Sequence, residues 1–318
     1  MTYPPVELDP YSKAFLAKVP KFDFETISLE EVRGLFPKVP LTGVHLEEKY
    51  FTSREGRDIK VEVLRPYGTE EQILPAIIFL HGGGWVMGDI NTHAEVLPHI
   101  VNGTNAAVLY VNYTLSPEVR HPVALEECYD ALNWCIKESS QLKIDPEKIA
   151  IGGDSAGGNL SAALCLLVKQ RSNKLLSAIR YQFLLYPAVD DNFETASYLE
   201  YQEDYFLTQK AMMYFLPTYA GNEEDRKNIL VCPLKATLDD LKGLPPALVM
   251  TAEADVLRDE GEAYARRLVA AGVPATAMRY QGCLHGFMSL SLQVPAAKAG
   301  LLQLVSLLKE AFDVKKSD

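Results

Sequence analysis

Apolar residues recur along this chain in two rhythms, and the change from one to the other lays out its elements. Val44 to Ser53 and Ile59 to Arg65 alternate apolar and polar positions on either side of Arg54-Glu-Gly-Arg-Asp58. That period of two predicts an antiparallel hairpin at a sheet edge. Short, unbroken apolar runs follow at Ala76–Leu80, Ala107–Val111, Lys148–Ile151, Tyr181–Leu185, Ala247–Thr251 and Ala275–Tyr280. Helical patterns lie between and after them, at Ala124–Ser139, Ala156–Gln170, Glu260–Ala271 and Pro295–Phe312. Strands without polar alternation are buried on both faces. Hairpin and runs together therefore predict an α/β fold, with a mostly parallel eight-stranded sheet and helices on both faces.

One interval breaks the rhythm. From Pro187 to Pro245 the chain reaches no new strand, and it is rich in Tyr, Phe and Met. Asp204–Thr208 and Ala211–Leu216 read as helices with an apolar face. The amino-terminal residues carry two proline-broken amphipathic segments, Pro10–Val19 and Ser28–Phe36, and Ser28 with Glu31 forms a capping box that starts a helix. A long insertion without a strand is usually functional. The expected organisation is one structural domain: a core of residues 44–187 and 245–318, a helical cap inserted at 188–244, and residues 1–43 as the amino-terminal part of that cap.

Composition narrows the function classes. With 48% apolar and 23% charged residues the chain can bury a large core. Its formal net charge of −11 argues against binding a phosphate backbone, so no nucleic-acid partner is expected. No stretch approaches the ~20 apolar residues needed to span a bilayer, so no stable membrane insertion is expected. The beginning, Met1-Thr-Tyr-Pro-Pro, lacks a charged-then-apolar leader pattern. The five cysteines are an odd count with no C-x-x-C spacing, which predicts reduced thiols and a cytoplasmic location. Sequons at Asn102, Asn112 and Asn159 are read as chance matches. Oligomeric state is not legible, and a homodimer is left open.

The chemistry centres on Ile149-Ala-Ile-Gly-Gly-Asp-Ser155-Ala-Gly-Gly-Asn-Leu160, an apolar run that ends in glycines and then turns helical. Gly153, Ser155 and Gly157 give the G-x-S-x-G spacing of a nucleophile elbow, in the strand-to-helix context that motif requires. Such a bend is strained, and its neighbours must lack a Cβ for the chain to pass closely. A serine needs a base. In α/β-hydrolases the order along the chain is Ser, then Asp or Glu, then His. Of six histidines only His285 follows Ser155. The acid that orients it is read as Asp255, in the loop after Ala247–Thr251, with Asp259 as the alternative. Asp259 and Glu260 open the next helix, where acids favour the dipole without any catalytic role. His81-Gly82-Gly83-Gly84-Trp85 follows the strand Ala76–Leu80. A glycine run there can aim backbone amides at a developing oxyanion, and the amides of Gly82, Gly83 and Ala156 are the expected donors. His81 itself is read as a loop-bracing residue.

Taken together, His81–Trp85, Gly153–Gly157, Asp255–Glu260 and His285-Gly-Phe287 resemble the hormone-sensitive-lipase-like family of α/β-hydrolase esterases. The resemblance runs from about Ile73 to Met288 and includes Leu244–Val249. It implies a carboxylic ester hydrolase, often acting on short or medium acyl chains, with a cap over the site and no cofactor or metal. Ser155, Asp255 and His285 fall on the triad positions, and Gly82, Gly83 and Ala156 on the oxyanion positions. Tyr113-Thr-Leu-Ser-Pro-Glu118 departs from the usual Tyr-Arg-Leu-Ala-Pro-Glu.

The expected activity is hydrolysis of a small-molecule ester through an acyl-enzyme. A peptidase or amidase would use the same chemistry, and a silent ligand-binding protein would have lost a triad member that this chain keeps. Trp85, Tyr205, Phe206 and Met213 are candidate substrate contacts, although Met and aromatic stripes more often pack a core. Cys283, two residues before the base, is read as a buried, inert thiol.

Overall fold

The computed structural model describes residues 6–19, 26–34, 39–290, 292 and 294–313. Leu35 and Phe36 of the predicted amino-terminal segments, with residues 1–5, 20–25 and 37–38, lie outside the described residues.

Eight strands form one sheet in the order β1-β2-β4-β3-β5-β6-β7-β8. The hairpin of β1 (His45–Thr52) and β2 (Asp58–Arg65) is antiparallel, and β2 also lies antiparallel to β4 (Ala107–Val111). From β4 onwards every pairing is parallel, through β3 (Leu74–Leu80), β5 (Ile144–Asp154), β6 (Ile179–Leu185), β7 (Ala247–Ala254) and β8 (Ala275–Leu284). The unbroken apolar runs of β3, β4 and β6 are buried almost throughout, as strands covered on both faces must be. β5, β7 and β8 are longer than their apolar runs: β5 adds residues 144–147 before its run and 152–154 after it, β7 adds 252–254 and β8 adds 281–284.

A core lies on each face. One packs the sheet against helices Val123–Lys137, Ala156–Arg171 and Arg258–Ala270, and the other against Leu97–Thr104 and Pro295–Asp313. Ala156–Arg171 is buried from Ala156 to Val168, so it shows no amphipathic stripe. The apolar pattern passes over Leu97–Thr104, which carries Pro98 in its first turn and Gly103 near its end. Among the described residues no helix is long and apolar enough to cross a membrane.

Residues 188–244 contain the helices Ala196–Glu200, Gln209–Tyr219, Glu223–Lys227 and Leu238–Leu241. Asp204–Thr208 is not helical, contrary to expectation. Asp204 and Phe206 have φ of 68° and 73°, and the Thr208 side chain caps the amide of Ala211, so the helix starts only at Gln209. The amino-terminal helices are Pro10–Leu16 and Leu29–Arg33, the second held by the expected Ser28–Glu31 capping box. These elements meet the rest of the molecule at defined points. The Phe15 and Phe206 rings pack edge to face at 5.1 Å, and the Asp9 amide donates to the Gly282 carbonyl (2.9 Å). Arg33 donates to the carbonyls of Val86 (2.9 Å) and Ser116 (3.3 Å), and pairs with Glu118 through both terminal nitrogens.

Candidate active site

Four residues singled out in the sequence each stand immediately after a strand: His81 after β3, Ser155 after β5, Asp255 after β7 and His285 after β8. The parallel register brings these strand ends level, pairing Leu80 with Gly153 and Ala254 with Leu284. Ligand-facing residues of open α/β sheets belong at this edge.

Ser155 has φ 54° and ψ −118°, a conformation that non-glycine residues rarely adopt. Its amide donates to the Leu185 carbonyl (2.8 Å), which pins the bend to β6. A Cβ on either Gly153 or Gly157 would run into the Leu80 carbonyl. That clash is the physical reason for both glycines. Asn159, the fourth residue of the helix Ala156–Arg171, is buried, with its side-chain amide donating to the carbonyls of Ala188 and Val231.

His285 Nε2 lies 2.9 Å from Ser155 Oγ, and its Nδ1 lies 2.8 Å from Asp255 Oδ2. Because the carboxylate accepts from Nδ1–H, the lone pair is left on Nε2, facing the serine hydroxyl. Asp255 is fully buried, and its second oxygen accepts the Leu257 amide (3.0 Å). The ring of His285 sits edge to face on Tyr186 at 4.9 Å. Asp259 is occupied elsewhere, accepting the Ser197 amide (2.8 Å) and Arg258 Nε (2.9 Å). Of the two acids weighed in the sequence, Asp255 is the one that meets the histidine.

The glycine loop is fixed through its carbonyls. His81 C=O accepts from the Tyr113 hydroxyl (2.7 Å), Gly82 C=O from His81 Nδ1 (2.8 Å), and Gly83 C=O from the amides of Val86 and Met87. The His81 ring is stacked on Tyr113 at 4.3 Å and on Tyr110 at 5.3 Å, which suits the bracing role read for it. Burial lowers its pKa to about 4, so the imidazole is neutral near pH 7. Within Tyr113-Thr-Leu-Ser-Pro-Glu118, Thr114 gives its amide and hydroxyl to Glu127 (2.7 and 2.9 Å).

One expected donor must be withdrawn. The Gly82 amide donates to Asp154 Oδ1 (2.9 Å), so its hydrogen is not available to an oxyanion. Among the described residues, the amides of Gly83, Gly84 and Ala156 make no hydrogen bond to the protein, and all three residues line the same cavity as Ser155 and His285. Gly83 and Gly84 have φ of 112° and 60°, which frees their amides in a conformation that favours glycine.

That cavity has a volume of about 140 Å³. Of the candidate substrate contacts, Trp85 and Phe206 line it, whereas Tyr205 and Met213 do not. Tyr205 packs against Tyr201 (4.9 Å), and Met213 is 54% exposed. On the helix Gln209–Tyr219 the positions that line the cavity are Met212 and Phe215, and these with Leu207 complete the apolar wall. The sequence pattern shows an apolar face but not which of two adjacent methionines lies on it.

Cys283 is fully buried and its thiol is pushed up to about 12 by burial, so the inert reading fits it. Asp190, Asp191 and Cys232 lie close enough together to share a metal ion. They suit one poorly: Lys235 already pairs with Asp191 (2.6 Å), and burial holds the Cys232 thiol protonated.

Residues 77–289 match a family model described as the alpha/beta hydrolase fold. Carboxylesterase NlhH of Mycobacterium tuberculosis is 32% identical over 320 residues, covering 98% of this chain and 99% of its own. Among solved structures, one of two fungal esterases from Rhizomucor miehei is 44% identical with a TM-score of 0.91, covering 97% of this chain and 98% of its own. A thermostable esterase from Pseudomonas putida is 38% identical with a TM-score of 0.91, covering 99% and 100%.

Proposed function

Since this chain belongs to the hormone-sensitive-lipase-like carboxylesterases of the α/β-hydrolase fold, we propose that it hydrolyses short to medium acyl esters with Ser155 as nucleophile, His285 as general base and Asp255 as the acid that orients it. His285 Nε2 takes the hydroxyl proton as Ser155 Oγ attacks the ester carbonyl carbon. The oxyanion is held by the amides of Gly83, Gly84 and Ala156, with Gly84 taking the part expected of Gly82. The tetrahedral intermediate collapses, His285 gives its proton to the departing alkoxide, and the alcohol leaves. A water molecule, deprotonated by the same nitrogen, then releases the acid from Ser155.

The observation that supports this reading most is the continuous chain Asp255–His285–Ser155, with contacts of 2.8 and 2.9 Å. The acyl group is assigned to the apolar wall of Met212, Phe215 and Leu207. Residues 6–19, 26–34 and 188–244 are read as a cap over this wall, on the strength of the Phe15–Phe206 contact.

Ser155→Ala tests the assignment. Turnover of p-nitrophenyl butyrate should vanish while the circular dichroism spectrum is retained; a folded variant that still turns over would rule out this nucleophile.

A further inference from the structure

The reaction just described leaves a second buried histidine–aspartate pair unused. Asp154, immediately before Ser155, accepts the Gly82 amide at Oδ1 (2.9 Å), and His93 Nε2 lies 2.8 Å from the same oxygen. His93 is 4% exposed and Asp154 7%. His93 closes the short 3₁₀ turn Ile90–His93, on the connection that leaves the glycine loop. Its other nitrogen, Nδ1, lies 2.8 Å from Thr92 Oγ1. Thr92 gives its own hydrogen to the Asp89 carbonyl (2.6 Å), so its oxygen is an acceptor toward the ring. Nδ1 also has the Asp89 carbonyl at 3.5 Å and the Tyr110 hydroxyl at 3.4 Å. Two of its three neighbours, including the nearest, are acceptors, which favours a proton on Nδ1 as well as on Nε2.

We propose that His93 and Asp154 are positioning residues: a buried ion pair that fastens the glycine loop to the nucleophile's strand through the Gly82 amide and holds the Gly83 and Gly84 amides in register with Ser155. This rests on the reading of Ser155 and the loop given above. The pair also answers an electrostatic problem. An unneutralised carboxylate one residue from the nucleophile opposes the negative charge that grows on the substrate oxygen, and the imidazolium cancels it. Burial alone disfavours a charged His93, but the Asp154 carboxylate beside it outweighs burial and raises its pKa. Asp154 is likewise held below its ordinary value, against burial, by His93 and the Gly82 amide. The other ionisable groups facing His93 are Asp89, His81 and Tyr110.

The test compares the wild-type protein with His93→Gln, Asp154→Asn and the double variant. Gln keeps a donor without charge, and Asn keeps an acceptor of the same shape. Turnover of p-nitrophenyl butyrate is measured per active site, counted by titration with diethyl p-nitrophenyl phosphate. Affinity for an alkyl trifluoromethyl ketone, whose serine adduct places an oxyanion in the hole, is measured alongside. Each single variant should lose about 10- to 100-fold in kcat with KM nearly unchanged, and the ketone should weaken in step. The double variant should be no worse than the poorer single one, because the two residues act as one unit. Wild-type kcat and ketone affinity in folded variants would overturn the proposal. So would additive losses, or a deficit that disappears once rates are referred to titrated sites. If Ser155→Ala keeps its turnover, the reading of the site fails; if Ser155 is required and the pair variants behave as wild type, only this inference fails.

Discussion

His285 Nε2 stands 2.9 Å from Ser155 Oγ although 130 residues separate them in the chain. The contact is held from behind by Asp255, which occupies Nδ1, and not by Asp259, which caps the amide of Ser197. Asp255→Asn should therefore lower kcat by roughly 10⁴-fold, because the imidazole loses its tautomeric lock and the charge that stabilises its protonated form. Asp259→Asn should leave kcat within a few fold and cost about 1 kcal/mol of stability. Steady-state kinetics and chemical denaturation of both variants check this. The reverse ranking would move the acid to Asp259.

Gly84 faces the ring of Phe215 so closely that a Cβ would strike it, and its φ is 60°. Gly84→Ala should reduce kcat by about 100-fold by displacing one oxyanion donor. If the steric account is right, adding Phe215→Ala restores part of that loss. Measuring kcat for the single and double variants settles it, since an unrelieved double variant would point to backbone strain alone.

Two adjacent methionines give a sharper test of the acyl wall. Met212 is buried and lines the cavity, while Met213 is largely exposed. In a p-nitrophenyl ester series from acetate to palmitate, Met212→Ala should shift the preferred acyl chain to greater length, at a stability cost of about 2–5 kcal/mol. Met213→Ala should leave the profile unchanged. A shift with Met213 and none with Met212 would put the acyl group elsewhere.

Stability should fall on the acid side. His81 is buried among Tyr110, Tyr113, His93 and Asp154, and its pKa drops from 6.5 to about 4. The unfolded chain thus binds a proton first, so His81's contribution is full above its unfolded pKa and is lost as pH falls toward 4, by on the order of 3 kcal/mol. His93 behaves oppositely: its raised pKa gives stability that is present below its ordinary value and lost as pH rises through the raised one. Urea midpoints at pH 7, 5.5 and 4 report the acid limb. A constant midpoint would mean that His81 is not a buried neutral ring.

The strands and the strand-end residues were legible in sequence because burial on both faces writes an unbroken apolar run, and because glycines at Gly153 and Gly157 answer a local steric demand. His285 was legible by elimination. The identity of the loop donors was not, since spacing in His81–Trp85 cannot say that Asp154, distant in sequence, takes the Gly82 amide. His93 is not legible for a related reason: it precedes Ser155, and its partner Asp154 is set by the sheet rather than by any nearby residue. In residues 188–244 the aromatic pattern at Asp204–Thr208 suggested a helix, but Tyr205 and Phe206 serve different neighbours, Tyr201 and Phe15, and the backbone turns between them.

Arg33 ties the amino-terminal segment to the connections that flank the glycine loop. Its guanidinium holds the Val86 carbonyl at the end of the glycine loop and the Ser116 carbonyl on the neighbouring connection. Grafting this segment from a relative would consequently alter how fast bonds are broken, and not merely which molecules gain entry.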